Sequence, residues 1–227
     1  MPFELHEVQS APGFAEIIQD HIAAFNSPPN ANTSLVCPIL GSGPTAEEDA
    51  LKSYTTRQWY RHRMDPNSHW LKIVDTDTGL GVAGACWIVV DAVVGEGYRP
   101  MIEPFGMPEG ERREFTKGVL GELAEVRARK EMHVALQAIF IHPDYRRKGV
   151  ASLLMGWVLA KADQLKLDCF VEGTEIGVPL YSKHGFVLVE RRKIKPVKKE
   201  EDKSEEWHLM ERTLVPTLNV MRRSSQG

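Results

Sequence analysis

Leu136-Gln137-Ala138-Ile139-Phe140-Ile141-His142-Pro143-Asp144-Tyr145-Arg146-Arg147-Lys148-Gly149-Val150-Ala151 opens with an apolar run that Pro143 stops. Polar and basic residues then lead through Gly149 into Val150, Leu153, Leu154, Trp157, Val158, Ala162 and Leu165, whose spacing is helical. The segment therefore reads strand, turn, helix. A helix start leaves about four backbone N–H groups without intrahelical acceptors, and the aligned peptide dipoles place roughly half a positive charge there. Gly149 keeps side-chain bulk away from that end, while Arg146, Arg147 and Lys148 add cationic charge. Such a turn suits an anion, phosphate above all.

Two familiar phosphate loops do not fit. In the Walker pattern Gly-Lys-Ser/Thr opens the helix, whereas here Lys148 precedes Gly149. A dinucleotide fold needs G-x-G-x-x-G after a strand; the turn has one glycine, and Gly41-Ser42-Gly43 runs into Pro44 without a preceding strand.

The turn resembles the central motif of the GCN5-related N-acetyltransferase (GNAT) superfamily, Q/R-x-x-G-x-G/A, with Arg146, Gly149 and Ala151 in the fixed places. Farther on, Leu180-Tyr181-Ser182-Lys183-His184-Gly185-Phe186 is similar to the family's second signature, L-Y-x-K-x-G-F. Residues 136–190 carry the close match, and the family's layout extends it to one domain over 1–227. The resemblance implies an α/β (α+β) GNAT fold: a mixed sheet of six to seven strands, helices on both faces, and parallel strands 4 and 5 splayed apart. It further implies acetyl-coenzyme A as cofactor, with its pyrophosphate on Arg146, Arg147, Lys148, Gly149, Val150 and Ala151. The pantetheine arm would lie along Ile139, Phe140 and Ile141, with the Phe140 N–H as the candidate oxyanion donor. The implied reaction is direct attack of a primary amine, on a small molecule or peptide, in a ternary complex. Tyr181 is the implied acid for the leaving thiolate. The family's glutamate base, four residues before the first pantetheine position, is replaced by Ala135. That leaves Glu172, acting through water, as the candidate base. A catalytically silent acyl-CoA-binding or regulatory domain is the alternative.

Composition agrees with an ordinary globular chain of 227 residues, and a net charge of −3 gives no reason to expect nucleic acid as partner. Cys37, Cys86 and Cys169 are scattered, without C-x-x-C spacing, so neither a disulfide framework nor a metal site is expected. No apolar run approaches the roughly twenty residues of a membrane span, and no charged-then-apolar leader is evident. The expectation is a cytoplasmic monomer or homodimer without a membrane partner.

Elsewhere the pattern predicts a strand over 3–8, a helix from Phe14 to Phe25 and a long loop over 26–45. A helix capped by Thr45 should run from Ala46 to Arg63, followed by a hairpin of 70–75 and 82–90 turning at Thr76-Asp77-Thr78-Gly79. Residues 92–110 read as irregular and Glu111–Lys130 as a helix. A strand at 167–171, a short helix at 178–184 closed by Gly185, and strands at 186–193 and 207–214 complete the chain. The charge run 198–203 reads as a solvated hairpin loop between those last two strands.

Overall fold

The computed structural model describes residues 2–28, 33–92, 97–100, 104 and 106–225. Parts of the 26–45 and 92–110 segments lie outside the described residues. In chain order the elements are β1 (Phe3–Glu7), α1 (Ala11–Phe25), α2 (Thr33–Val36), α3 (Ala46–Met64), β2 (Ser68–Asp75), β3 (Gly81–Val90) and α4 (Glu111–Arg127). Then follow β4 (His133–Ile141), a 3-10 turn (Pro143–Tyr145), α5 (Val150–Leu165), β5 (Cys169–Gly173), α6 (Val178–Lys183), β6 (Val187–Lys193), α7 (Glu205–Thr213) and β7 (Thr217–Arg223). The strands form one sheet in the order β1-β2-β3-β4-β5-β7-β6, parallel only between β4 and β5. This is the expected mixed GNAT sheet with helices on both faces.

β3 shows why the sheet is central. Val82 to Val90 is buried throughout, an unbroken apolar run of the kind that needs cover on both sides. Ala83, Ala85, Trp87 and Val89 join the core beneath α5, while Cys86 and Ile88 face the α1 and α3 side. Gly84 is required by a close approach: a Cβ there would stand 2.5 Å from the ring of Phe140, its partner on β4.

Two elements differ from the expectation: the short helix α2 lies within the segment read as a loop over 26–45, and the last predicted strand is a helix. Residues 207–214 lie mostly within helix α7, and the last strand is β7. Ser204 Oγ accepts from the Trp207 N–H at 3.1 Å, and Glu205 and Glu206 occupy the first turn, both favourable at a helix start. Trp207 and Met210 are buried and Leu214 packs behind them, the spacing of one helical face, whereas Leu209 is exposed. Nor is the 198–203 run a free loop: Lys198 Nζ binds Glu111 Oε1 and Glu114 Oε2 on α4, each at 3.0 Å. Lys203 meets Glu200 at 2.7 Å and Glu211 at 3.2 Å. Ser204→Ala should destabilise the protein by about 1 kcal/mol through loss of the cap, read as a lower urea midpoint with unchanged slope. Thr45, by contrast, sits at the start of α3 without capping its backbone and bonds to Asp49 Oδ2 instead.

Candidate active site

The turn between β4 and α5 is built by alternating handedness. His142 Nδ1 accepts from the Asp144 N–H at 3.4 Å and starts the 3-10 turn. Arg147 (φ 61) and Gly149 (φ 83) then adopt left-handed conformations on either side of Lys148. Successive amides in such a turn point into one concavity. Among the described residues, none of the N–H groups from Arg147 to Ala151 has an acceptor. Beyond its own chain neighbours, no atom lies within 4 Å of where a Gly149 side chain would begin. Of the three cations, Arg146 is directed elsewhere: its guanidinium donates to the Ala24 carbonyl at 2.9 Å and so ties the turn to the end of α1. Lys148 Nζ stands 4.7 Å over the Tyr145 ring.

Beside the turn, the two parallel strands part. β4 and β5 pair only at Val134, Ala135 and Leu136, although β4 continues to Ile141. The parting coincides with a β-bulge at Gln137, where Trp87 faces Leu136 but Cys86 faces Ala138. Beyond it, the His142 N–H bonds the Val82 carbonyl at 2.8 Å. Alternation along an antiparallel pair then sends the Phe140 N–H to β3 and leaves those of Ile139 and Ile141 facing the gap. The expectation that Phe140 supplies the oxyanion donor is therefore corrected; its ring instead stacks on His21, 4.7 Å away at 14°.

Tyr181 sits on α6, 5% exposed, with its ring seated against two glycines. A Cβ on Gly173 or Gly177 would come within 2.5 or 2.8 Å of that ring. Burial, reinforced by the Glu172 charge, raises its pKa well above the usual phenol range, so the hydroxyl keeps its proton at neutral pH. Glu172, one residue before the end of β5, is differently placed. Its side chain has no exposed surface, and its oxygens bind Arg127 Nε at 2.9 Å and Arg129 Nη2 at 3.2 Å. Arg127 also reaches the Gln137 carbonyl at 3.3 Å, and Arg129 lies 4.0 Å over the Phe170 ring. Glu172 thus holds the strand end to α4. It has no solvent-facing oxygen through which a water could be activated.

On the α1 and α3 side, a cavity of about 470 Å³ reaches the bulge at Gln137 and Ala138. Sequence reasoning missed two of its polar members, Asp65 and Tyr98, because no spacing links a helix end to a Gly/Pro-rich stretch. Its wall includes His21, whose pKa burial lowers to about 4 from an ordinary 6.5. The unfolded chain then takes up the proton first as pH falls from 6.5 towards 4, so this part of the stability is present above that window and lost within it. His21→Gln should reduce the stability loss between pH 7 and pH 5 by about 2 kcal/mol, read from urea denaturation at both pH values. Asp20, raised by burial to about 6, acts in the opposite sense but is common to both proteins.

The acetyltransferase (GNAT) domain family model matches residues 113–188. No curated protein matches the chain in sequence. Among solved structures, the fold is similar to one described as histone acetyltransferase HPA2 and related acetyltransferase from Corynebacterium glutamicum. That match has 15% identity and a TM-score of 0.59, covering 100% of this chain and 98% of that one. It is also similar to a candidate phosphinothricin N-acetyltransferase (14% identity, 99% of each chain, TM-score 0.53). A Pyrococcus horikoshii protein matches at 10% identity over 99% of each chain, with a TM-score of 0.51. Residues 113–188 thus match the GNAT acetyltransferase family in sequence, and the chain as a whole has the GNAT fold.

Proposed function

We propose that the protein is an acetyl-CoA-dependent N-acetyltransferase that acetylates a primary amine by direct attack within a ternary complex. The observation that carries this reading is the row of acceptor-free amides from Arg147 to Ala151, opening beside parted strands. An anion of pyrophosphate geometry suits those donors, with Arg147 and Lys148 as its cationic neighbours and Gly149, Val150 and Ala151 as its backbone contacts. Acetyl-CoA, when bound, supplies an acetyl thioester.

The Ile139 and Ile141 N–H groups face the gap in which a pantetheine arm would extend, and one of them can donate to the developing oxyanion. A preorganised donor of this kind is worth about 3 kcal/mol of barrier. Phe140 contributes through its ring, which fixes β4 over Gly84. Tyr181 keeps its proton and sits next to the end of β5, which suits it to protonate a leaving thiolate. The buried pairing of Glu172 with two arginines favours a positioning role over that of base.

The test uses mass-spectrometric detection of acetyl transfer across an amine panel. Transfer that falls by a factor of about 100 in Tyr181→Phe supports the acid assignment, general acid catalysis being worth that much. Undiminished transfer in that variant contradicts it.

A further inference from the structure

The cavity beside the bulge contains a cluster that neither the turn nor Tyr181 uses. Tyr98 Oη donates to Asp65 Oδ2 at 2.8 Å and accepts from Gln137 Nε2 at 3.3 Å. The hydroxyl has one proton, committed to Asp65, so Gln137 must present its NH2 to Tyr98 and keep its oxygen as an acceptor. Asp65 Oδ1 is separately occupied by the Asn67 N–H and side-chain amide, at 3.0 and 3.1 Å. Three oxygens with acceptor capacity to spare, Asp65 Oδ2, Tyr98 Oη and Gln137 Oε1, therefore belong to one wall of the cavity. Asp65 Oδ2 and Tyr98 Oη, once the phenol proton is committed, can only accept and so favour a ligand that donates, and an ammonium group donates only.

Position agrees with that selection, and Asp65 is the one carboxylate among the described residues that line the cavity. Gln137 is the bulged residue, next after the last β4–β5 pair, so the cluster adjoins the gap. Arg127 and Arg99, which also line the cavity, are ion-paired with Glu172 and Glu125, and the charge of Arg61 is felt at Tyr54. His62 is held below its usual range by burial, and burial raises the Cys86 thiol to about 12, so neither adds charge at neutral pH. Ile22, Phe25, Met64 and Trp70 supply apolar lining. A cavity of about 470 Å³ has the size of small-molecule sites.

We propose that Asp65, Tyr98 and Gln137 receive the acceptor nitrogen, and that the acceptor is a small primary amine with an apolar body. The assignment rests on the acetyl-transfer reading above. Bound as ammonium, the amine must lose a proton before it attacks. As Tyr98 Oη takes that proton, its own passes to Asp65 and from there to solvent. The freed lone pair forms the C–N bond as the C–S bond breaks, and the second proton leaving nitrogen balances the one delivered to sulfur. Asp65 thus acts both directly, as an acceptor for the ammonium, and through Tyr98, as the group that takes the relayed proton.

Calorimetric titration of the full chain at pH 7 with CoA present tests this, using phenethylamine and the isosteric acid 3-phenylpropionate as probes. The amine should bind at least tenfold tighter than the acid. Asp65→Asn and Tyr98→Phe should each weaken amine binding tenfold or more and diminish its preference over the acid, while CoA raises the melting temperature as in the wild type. Tyr98→Phe keeps the ring that packs edge-on against His133, so it guards against a folding artefact. Equal binding of the acid, no binding of either probe, or unchanged amine affinity in both variants overturns the proposal. A wild type that CoA fails to stabilise contradicts the acetyl-transfer reading itself, and this assignment with it.

Discussion

Gly149→Asp should abolish stabilisation by CoA. At a ligand concentration a hundred times its dissociation constant, CoA is expected to stabilise the wild type by about 2.7 kcal/mol, visible as a rise in melting temperature. Two effects remove that gain in the variant. Gly149 has φ 83, and an L residue held there is strained by about 1 kcal/mol. The carboxylate would also add a negative charge at the helix start whose amides are proposed to hold the ligand's own. Gly149→Ala separates the contributions, because no neighbour lies within 4 Å and only the strain remains. The alanine variant should melt lower yet still respond to CoA; the aspartate variant should not respond. An aspartate variant that CoA stabilises as fully as the wild type means that the phosphate lies elsewhere.

Glu172→Gln should destabilise the fold by about 3 kcal/mol, among the largest effects of any single change that preserves side-chain shape. The substitution leaves Arg127 and Arg129, whose side chains are 14% and 10% exposed, without their shared counter-charge. Losing one partner of a buried ion pair costs more than the pair contributes, because the remaining charge stays desolvated. Urea denaturation at pH 7 measures it. A variant of unchanged stability whose acetyl transfer alone collapses would restore Glu172 to the role of base.

These two positions also show how far the sequence could be read. Residues 146–151 disclose their local structure, since a glycine and helical spacing directly after an apolar strand are enough to mark a strand–turn–helix with unpaired amides at the helix start. Glu172 does not, because its partners Arg127 and Arg129 are more than forty residues earlier and meet it only across the sheet. The expected role of the Phe140 N–H fails for a similar reason. The bulge at Gln137 sets which N–H groups face the gap, and a bulge is defined by the opposite strand. α7 is legible in principle: Ser204 followed by Glu205 and Glu206 is a helix start, but the charges around it suggest a loop. Tyr98, in a stretch that reads as irregular, acquires meaning only from Asp65 and Gln137 beside it.

The most direct measurement is an amide-resolved NMR titration of the wild-type chain with CoA. The N–H resonances of Arg147, Lys148, Gly149, Val150 and Ala151 should move downfield together as they gain phosphate acceptors, with Ile139 and Ile141 following and Phe140 unaffected by a new hydrogen bond. Saturable CoA binding that leaves the amides of residues 147–151 unmoved would contradict the account.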